Sequence, residues 1–331
     1  MKQHDHTSAE SLNAARFASQ NLRGIMLPFP TPFDKDESVD ARGLRANILK
    51  WNETGITGYV ALGSTGERVH LSERECLEVI EAARACVPAS LAFITGAGQQ
   101  STHATIDEVR RYAQAGADAA LVITPNFYRA AMTQGALINH YLTVADASPV
   151  PLVLYSMPDL TGIALAPETT ARLAEHENII GIKDSSGDVI NLAETVRVVP
   201  EDFAVLTGNG GLLAAALGAG ARGAILAVGC VAFDECLAIY DALEKGEHEQ
   251  AYHLQRKLTP LARAVTVRYG IGGLKAALEM KAFVGGHVRA PLARASDEAR
   301  HEIARLLKES LSDNVSANGS DDYALAGVRT K

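Results

Sequence analysis

Eight short apolar segments recur along residues 24–228, and each is followed by a stretch with the spacing of an amphipathic helix. Their first residues lie 19 to 34 positions apart, which is the reach of a strand plus a crossover helix. Near-continuous apolar runs are typical of strands in a parallel sheet that is covered on both faces. The predicted strands are Gly24–Leu27, Gly58–Leu62, Leu91–Thr95, Ala119–Ile123, Leu152–Tyr155, Ile179–Lys183, Ala204–Thr207 and Gly223–Val228.

The number and spacing of these units indicate the fold class. Eight βα units within about 205 residues fit a closed barrel, because a doubly wound sheet would usually divide into two sub-domains joined by a longer linker. No such linker is visible. We therefore predict an α/β fold, a (β/α)8 TIM barrel with a C-terminal helical appendage.

Strand signals stop near Phe233, and helical periodicity continues to residue 311. The helices predicted for the appendage are Phe233–Glu244, His248–Val267, Gly272–Phe283 and Ser296–Leu311. The predicted organisation is a polar leader over residues 1–22, the barrel over 23–232, helices packed on the barrel over 233–311, and a disordered tail over 312–331.

Charge and composition exclude several classes of partner. The 331 residues include 39 acidic and 31 basic side chains, and no run of Lys and Arg is longer than two, so we expect no nucleic-acid partner. The four cysteines form no C-x-x-C pair and the histidines lack the spacing of a zinc site, so we expect no metal.

Two features bear on the compartment. The first residues lack the apolar segment of a signal peptide, which predicts a cytoplasmic location. Residues 214–233 are apolar apart from Arg222 and are long enough to span a membrane. Their four glycines and this arginine favour a buried helix followed by a buried strand, and we expect no membrane partner.

In a barrel of this kind, the residues that follow each strand meet at one end, where active sites lie. Lys183 ends the sixth apolar run, Ile-Ile-Gly-Ile-Lys. Burial disfavours the ammonium form and leaves a fraction as the free amine, which is the nucleophile that forms a Schiff base with a carbonyl substrate. The structural alternative is a lysine that reaches outward to pair with Asp184.

Two other strand ends carry groups that suit this chemistry. Tyr155 ends the fifth run, beside the sixth strand, so its phenol is placed to move a proton at the Lys183 amine. The turn GSTGE, residues 63–67, offers the hydroxyls of Ser64 and Thr65 together with backbone N–H groups as a cradle for a carboxylate. Taken singly, the tyrosine is more often a packing residue and the turn a plain loop with a helix cap.

Three motifs occur together and in order: GSTGE, Y-x-x-P-x-x-[ST]-G over Tyr155–Gly162, and G-[IL]-K-x-[ST]-[ST]-G-D over Gly181–Asp188. With them, roughly residues 23–311 resemble the pyruvate-dependent class I aldolase family of dihydrodipicolinate synthase and N-acetylneuraminate lyase. The resemblance implies that Lys183 is the Schiff-base lysine, that Tyr155 is the proton shuttle, and that Ser64 with Thr65 bind the oxo-acid carboxylate of pyruvate. It also implies no cofactor beyond the covalent imine, and a homo-oligomer built as a dimer of dimers.

Departures from the family's pattern bear on the substrate. Dihydrodipicolinate synthases carry an arginine in the loop after the strand-5 tyrosine, whereas this sequence has Leu160, which removes the clamp expected for aspartate semialdehyde. Neuraminate lyases carry an acidic pair after strand 7, where this sequence reads GNGG. Stretches such as KDSSGD and AVTVRYGIGGLK look most like the 4-hydroxy-2-oxoglutarate aldolases. We therefore expect cleavage of 4-hydroxy-2-oxoglutarate to pyruvate and glyoxylate, with Ser185 binding the hydroxylated part of the substrate.

Other functions stay open at this point. They are a dihydrodipicolinate synthase that condenses pyruvate with aspartate semialdehyde, a sugar-acid aldolase or dehydratase, and a catalytically silent sensor of oxo acids. The family usually places a tyrosine two residues after the strand-4 proline and donates it across a dimer interface. Here Pro125 is followed by Asn126, Phe127 and Tyr128. Tyr128 is therefore a candidate site residue, unless the proton relay is shorter, and Phe127 and Tyr128 are expected near an interface.

Overall fold

A computed structural model gives the structure of residue 17 and of residues 21–311. Eight parallel strands close into a barrel in sequence order, with β1 beside β8. The predicted TIM barrel is confirmed, and each strand overlaps its predicted apolar run. The strands are β1 Gly24–Leu27, β2 Gly58–Ala61, β3 Ala92–Ala97, β4 Ala119–Ile123, β5 Leu152–Ser156, β6 Ile179–Asp184, β7 Ala204–Thr207 and β8 Gly223–Ile225.

Helices connect consecutive strands and cover the outside of the barrel. Several begin at side-chain caps that the sequence supplies; at Ser72 a complete capping box joins the cap to Glu75. The helices between strands are α1 Ala41–Trp51, α2 Glu73–Arg84, α3 Thr102–Gln114, α4 Gln134–Ala147, α5 Pro158–Thr161, α6 Pro167–Ala174, α7 Val189–Val198 and α8 Leu213–Gly218.

The C-terminal appendage consists of α9 Phe233–Glu244, α10 His248–Arg263, α11 Gly270–Met280 and α12 Asp297–Leu311. The helix predicted over 248–267 is too long, because α10 ends at Arg263 and a π-turn covers Ala264–Arg268. This turn contains three consecutive β-branched residues, which crowd the preceding helical turn. The helix predicted over 272–283 starts and ends earlier, and Ala282 just beyond it adopts a left-handed conformation with φ of 60°.

Two apolar layers build the core. Alternate strand side chains, such as Met26, Val60, Leu121 and Val153, form a cluster that fills the barrel, and Leu22 packs into it. The other strand faces pack against the surrounding helices in a second, larger cluster. Because all strands are parallel, their carboxyl ends lie at one end of the barrel, where Tyr155 and Lys183 are found.

The structure also tests the apolar stretch at residues 214–233. It contains most of α8 followed by β8, as predicted from its glycines. Between residues 21 and 311, no helix combines the length and the apolar character that crossing a membrane requires. Most of the predicted leader and all of the predicted tail, residues 1–16, 18–20 and 312–331, lie outside the described residues.

Candidate active site

Lys183 and Tyr155 are paired neighbours on adjacent strands, β6 and β5. Both are buried, with exposed fractions of 4% and 3%. The Nζ atom of Lys183 lies 4.4 Å from the centroid of the Tyr155 ring. The amine and the phenol therefore share one enclosed space inside the carboxyl end of the barrel.

Asp184 forms no ion pair with Lys183 in the described structure. Its carboxylate accepts hydrogen bonds from the backbone N–H of Ser186 at 2.7 Å and from Nδ2 of Asn191 at 3.2 Å. Successive strand residues point to opposite faces, so Lys183 points into the barrel while Asp184 points to α7. The alternative interpretation, a lysine that reaches outward to this aspartate, does not describe the chain.

Polar neighbours surround the phenol of Tyr155. Its Oη lies 3.2 Å from Oγ of Ser64, in the turn after β2. Burial acts to raise the pKa of Tyr155, but the charge of Lys183 and hydrogen bonds with Ser64, Ser185 and Lys183 outweigh it, so the pKa lies below the ordinary value. A phenol whose anion is stabilised in this way exchanges its proton more readily than an isolated tyrosine does.

The turn at residues 63–67 is held in an unusual backbone conformation. Leu62, which precedes the turn, and Glu67, which ends it, have φ values of 56° and 55°. Oγ1 of Thr31, from the loop after β1, donates a 2.8 Å hydrogen bond to the carbonyl of Gly66. Gly96 on β3 lets the backbone of Leu62 pack closely against this strand, because an added Cβ would lie 2.2 Å from the carbonyl oxygen of Leu62. Neighbouring strand ends therefore fix the shape of the turn.

Gly208, just after β7, closes the other side of the lysine. A Cβ at this position would lie 1.9 Å from Oγ of Ser185 and 2.8 Å from Cε of Lys183. The backbone N–H of Gly208 donates a 2.7 Å hydrogen bond to the carbonyl of Asp184. Only a glycine leaves room here for both side chains.

The structure brings most of the predicted site residues together. Lys183, Tyr155, Ser64 and Ser185 converge, while Thr65 lies buried in the same turn as Ser64. Ser64 is solvent-exposed, so the site opens to solvent on that side. Tyr128 is different: it is 71% exposed and its ring contacts Phe127 at 5.1 Å, with no hydrogen bond to Tyr155 or Lys183 among the described residues.

Three charged residues near this end of the barrel were not singled out from the sequence. Glu67 and Lys275 form a buried ion pair beside the 63–67 turn. Arg129, in the loop after β4, places its guanidinium against Gly162, where an added Cβ would lie 3.2 Å from Nε. One sequence signal could have identified Lys275, which interrupts the largely apolar segment Gly270–Met280.

The described residues contain no group of three or more His, Cys, Asp or Glu side chains that could hold a metal ion. The reactive groups of the site are the amine, the phenol and the hydroxyls. A buried lysine without a carboxylate partner is what an imine-forming catalyst needs. The class that this fold and this site define is the class I aldolase, which is a lyase.

The chain belongs to the dihydrodipicolinate synthetase family, whose sequence profile matches residues 21–310. A curated relative from Haloarcula marismortui, named 4-hydroxy-tetrahydrodipicolinate synthase, is 36% identical over 298 residues, which is 88% of this chain and 96% of the relative. A relative of the same name from Methanothrix thermoacetophila is 36% identical over 287 residues, covering 86% of this chain and 96% of its own.

Solved structures agree with this assignment. The crystal structure of dihydrodipicolinate synthase from Thermotoga maritima is similar with a TM-score of 0.83 and 31% identity, covering 87% of this chain and 98% of its own. The enzyme of the same name from Aquifex aeolicus has a TM-score of 0.82 and 27% identity, covering 87% of this chain and 97% of its own. These names support the synthase alternative better than the expected likeness to 4-hydroxy-2-oxoglutarate aldolases.

Proposed function

We propose that the chain is a pyruvate-dependent aldolase that forms a Schiff base at Lys183. The observation that carries this proposal is the buried Lys183 amine, 4.4 Å from the Tyr155 ring centroid and without a carboxylate partner among the described residues. An amine in this position attacks a carbonyl carbon, and the adjacent phenol supplies the proton transfers that imine formation needs.

The steps balance without a cofactor. The neutral amine of Lys183 adds to C2 of pyruvate, the carbonyl oxygen takes a proton relayed by Tyr155, and water leaves as the imine forms. Loss of a proton from C3 gives an enamine, whose C3 then attacks the aldehyde carbon of a second substrate. Water finally hydrolyses the imine and releases the free lysine. Cleavage of a 4-hydroxy-2-oxo acid is the same sequence in reverse.

The 63–67 turn is the proposed binding site for the carboxylate of pyruvate. Ser64 already contacts Tyr155, so a carboxylate on this turn would place the neighbouring C2 near both Tyr155 and Lys183. Backbone N–H groups and hydroxyls at a tight turn are suited to an anion of this size. Ser185, whose hydroxyl also contacts Tyr155, offers a hydrogen-bonding group to the rest of the substrate.

Condensation of pyruvate with aspartate semialdehyde is the first candidate reaction, because the curated relatives described above carry that synthase name. Leu160 gives no cation for the carboxylate of this aldehyde. Arg129 can supply one, because its guanidinium lies against Gly162, which caps the short helix α5 that contains Leu160. Within residues 21–311 this guanidinium makes no hydrogen bond or ion pair. The missing loop arginine therefore does not exclude the synthase reaction.

Cleavage of 4-hydroxy-2-oxoglutarate is the second candidate. The observation that favours it is Ser185, which provides a hydrogen-bonding group for a hydroxylated substrate. Its glyoxylate portion also carries a carboxylate, so it would use the same Arg129 guanidinium.

One comparison of rates separates the two candidates. Purified enzyme is assayed for pyruvate consumption with aspartate semialdehyde and for pyruvate release from 4-hydroxy-2-oxoglutarate, both at saturating substrate. A condensation that is far faster than the cleavage supports the synthase, and the reverse ratio supports the 4-hydroxy-2-oxoglutarate aldolase. If neither substrate reacts, the chain is not an aldolase of these substrates, and the oxo-acid sensor becomes the better interpretation.

We also propose a cytoplasmic homo-oligomer built as a dimer of dimers. Phe127 and Tyr128, after β4, are 76% and 71% exposed and pack edge to face on each other. Two adjacent exposed aromatic residues at the mouth of the barrel suit a contact with a second copy of the chain. Light scattering that gives a fully active monomer at micromolar concentration would contradict this proposal.

A further inference from the structure

The ion pair between Glu67 and Lys275 is buried next to the 63–67 turn. Each residue is 2% exposed, and Oε1 of Glu67 lies 2.5 Å from Nζ of Lys275. Removing two charges from water is costly, and replacing such pairs with apolar residues is often neutral or stabilising. A contribution to stability is therefore a weak explanation for this pair. A better explanation is that the pair holds the backbone of the 63–67 turn in place.

Glu67 is the last residue of the turn and is left-handed, with φ of 55° and ψ of 32°. For a residue other than glycine this conformation is unfavourable, and it persists only where the surroundings fix it. The carboxylate of Glu67 is fixed at both oxygens. Oε1 accepts from Lys275, and Oε2 accepts from the backbone N–H of Arg289 at 3.1 Å, with Nδ1 of His70 at 3.4 Å.

Lys275 anchors this carboxylate from the C-terminal appendage. It lies within α11, and its ammonium also donates to the carbonyl of His287 and lies 4.5 Å from the centroid of the Phe33 ring. Phe33 follows β1 and forms an isolated backbone bridge with His287. The turn is thus held by the Thr31 hydroxyl from the barrel and by Lys275 from the appendage.

We propose that Lys275, acting through Glu67, positions the 63–67 turn for the carboxylate of the oxo acid. The C-terminal helices would in this way complete the substrate site without touching the substrate. The inference rests on the proposed function. It makes Lys275 and Glu67 positioning residues, and it implies that they matter for carbonyl compounds that carry a carboxylate and not for those that lack one.

The test compares pyruvate with acetone, a ketone that can form an imine on Lys183 without using the turn. The double variant Glu67→Gln/Lys275→Met removes both charges and so leaves neither buried alone. The fraction of enzyme trapped by borohydride is measured by intact mass spectrometry at a series of concentrations of each ketone. The pyruvate concentration that gives half-maximal trapping is expected to rise about tenfold, because a displaced turn misaligns the reacting carbon. The acetone concentration that gives half-maximal trapping should stay unchanged.

A matched control separates positioning from stability. Leu258→Ala removes a fully buried side chain from α10 of the same appendage, a helix that packs against α9 and α12. It should lower the melting temperature and leave both half-saturation values unchanged. If the double variant does not fold, Glu67→Gln/Lys275→Gln serves, because it also removes both charges while keeping polar groups at both positions; the pyruvate concentration for half-maximal trapping should again rise selectively.

Two results would overturn the proposal. If the pyruvate concentration for half-maximal trapping is unchanged, the ion pair contributes only to stability. If trapping by pyruvate and by acetone weakens in parallel, the variant has disturbed Lys183 itself. Failure of the proposed function has a different signature, because the unmodified enzyme would then give no pyruvate adduct at all.

Discussion

Lys183 and Tyr155 face each other across the β5–β6 ladder, with the lysine Nζ 4.4 Å from the centroid of the tyrosine ring. The backbone register sets this relationship, since the two residues are direct partners in parallel strands. Ser64 reaches the phenol from the turn after β2, on the other side of the barrel. The proposed chemistry follows from this contact, because a nucleophile and a proton shuttle are held together out of bulk water.

Tyr155→Phe should fold normally and lose most of kcat. A positioned proton shuttle contributes about a hundred- to ten-thousand-fold, and the loss should fall within that range. Pyruvate binding should persist more than turnover, which steady-state kinetics and borohydride trapping would separate. An unchanged kcat would assign Tyr155 to packing and turn attention to Tyr128.

Gly208→Ala should impair the lysine directly. The added Cβ would lie 1.9 Å from Oγ of Ser185 and 2.8 Å from Cε of Lys183, so one of these side chains must move. We expect kcat/KM to fall about a hundredfold, the usual cost of displacing a reacting group by about 1 Å. Gly135→Ala is the control, because its Cβ meets only Oγ1 of Thr133 at 3.9 Å. Equal activity of the two variants would contradict the close packing of Gly208 against Ser185 and Lys183.

Arg129→Gln should weaken the second substrate selectively. Its guanidinium is the proposed partner of the aldehyde's carboxylate, and loss of one charge-assisted hydrogen bond corresponds to about tenfold in KM. The KM of pyruvate should not change. Arg129→Lys keeps the charge and loses the planar guanidinium, so its KM for the second substrate should lie between those of the unmodified enzyme and Arg129→Gln. A rise in both KM values would mean that Arg129 shapes the site as a whole.

His140 should make stability fall in mild acid. Burial lowers its pKa from 6.5 to about 4, so the folded state keeps the ring neutral where the unfolded state protonates it. Between these two pH values the unfolded chain binds an extra proton, and the free energy of unfolding should decrease by about 3 kcal/mol as the pH falls. Urea unfolding at several pH values should show a smaller decrease for His140→Gln. Identical decreases in the two proteins would exclude His140 as the cause.

The fold could be predicted because its information is local in the sequence. Each strand is an apolar run and each crossover has helical periodicity, so eight repeats suffice to indicate a closed barrel. Lys183 stands out for the same reason, as a charge at the end of an apolar strand. The π-helical turn at Ala264–Arg268 was not predicted, because its three consecutive β-branched residues disfavour a helix only slightly and do not specify a π-helical turn.

The supporting contacts depend on distant parts of the chain. Glu67 and Lys275 are 208 positions apart, and the sequence around either residue does not indicate that the other is its partner. Arg129 meets Gly162 only because two loops fold toward each other, and a loop conformation is not encoded by periodicity. Leu160 consequently suggested an uncharged acceptor site, whereas the structure places the guanidinium of Arg129, from the loop after β4, beside the segment that contains Leu160.

Reductive trapping tests the central claim most directly. The enzyme is incubated with pyruvate and sodium borohydride, digested, and mapped by tandem mass spectrometry, with Lys183→Ala as the control. Reduction of the imine should leave a single stable adduct on Lys183, and the variant should acquire none. An adduct on another lysine, or no adduct in the unmodified enzyme, would contradict the assignment of Lys183 as the Schiff-base residue.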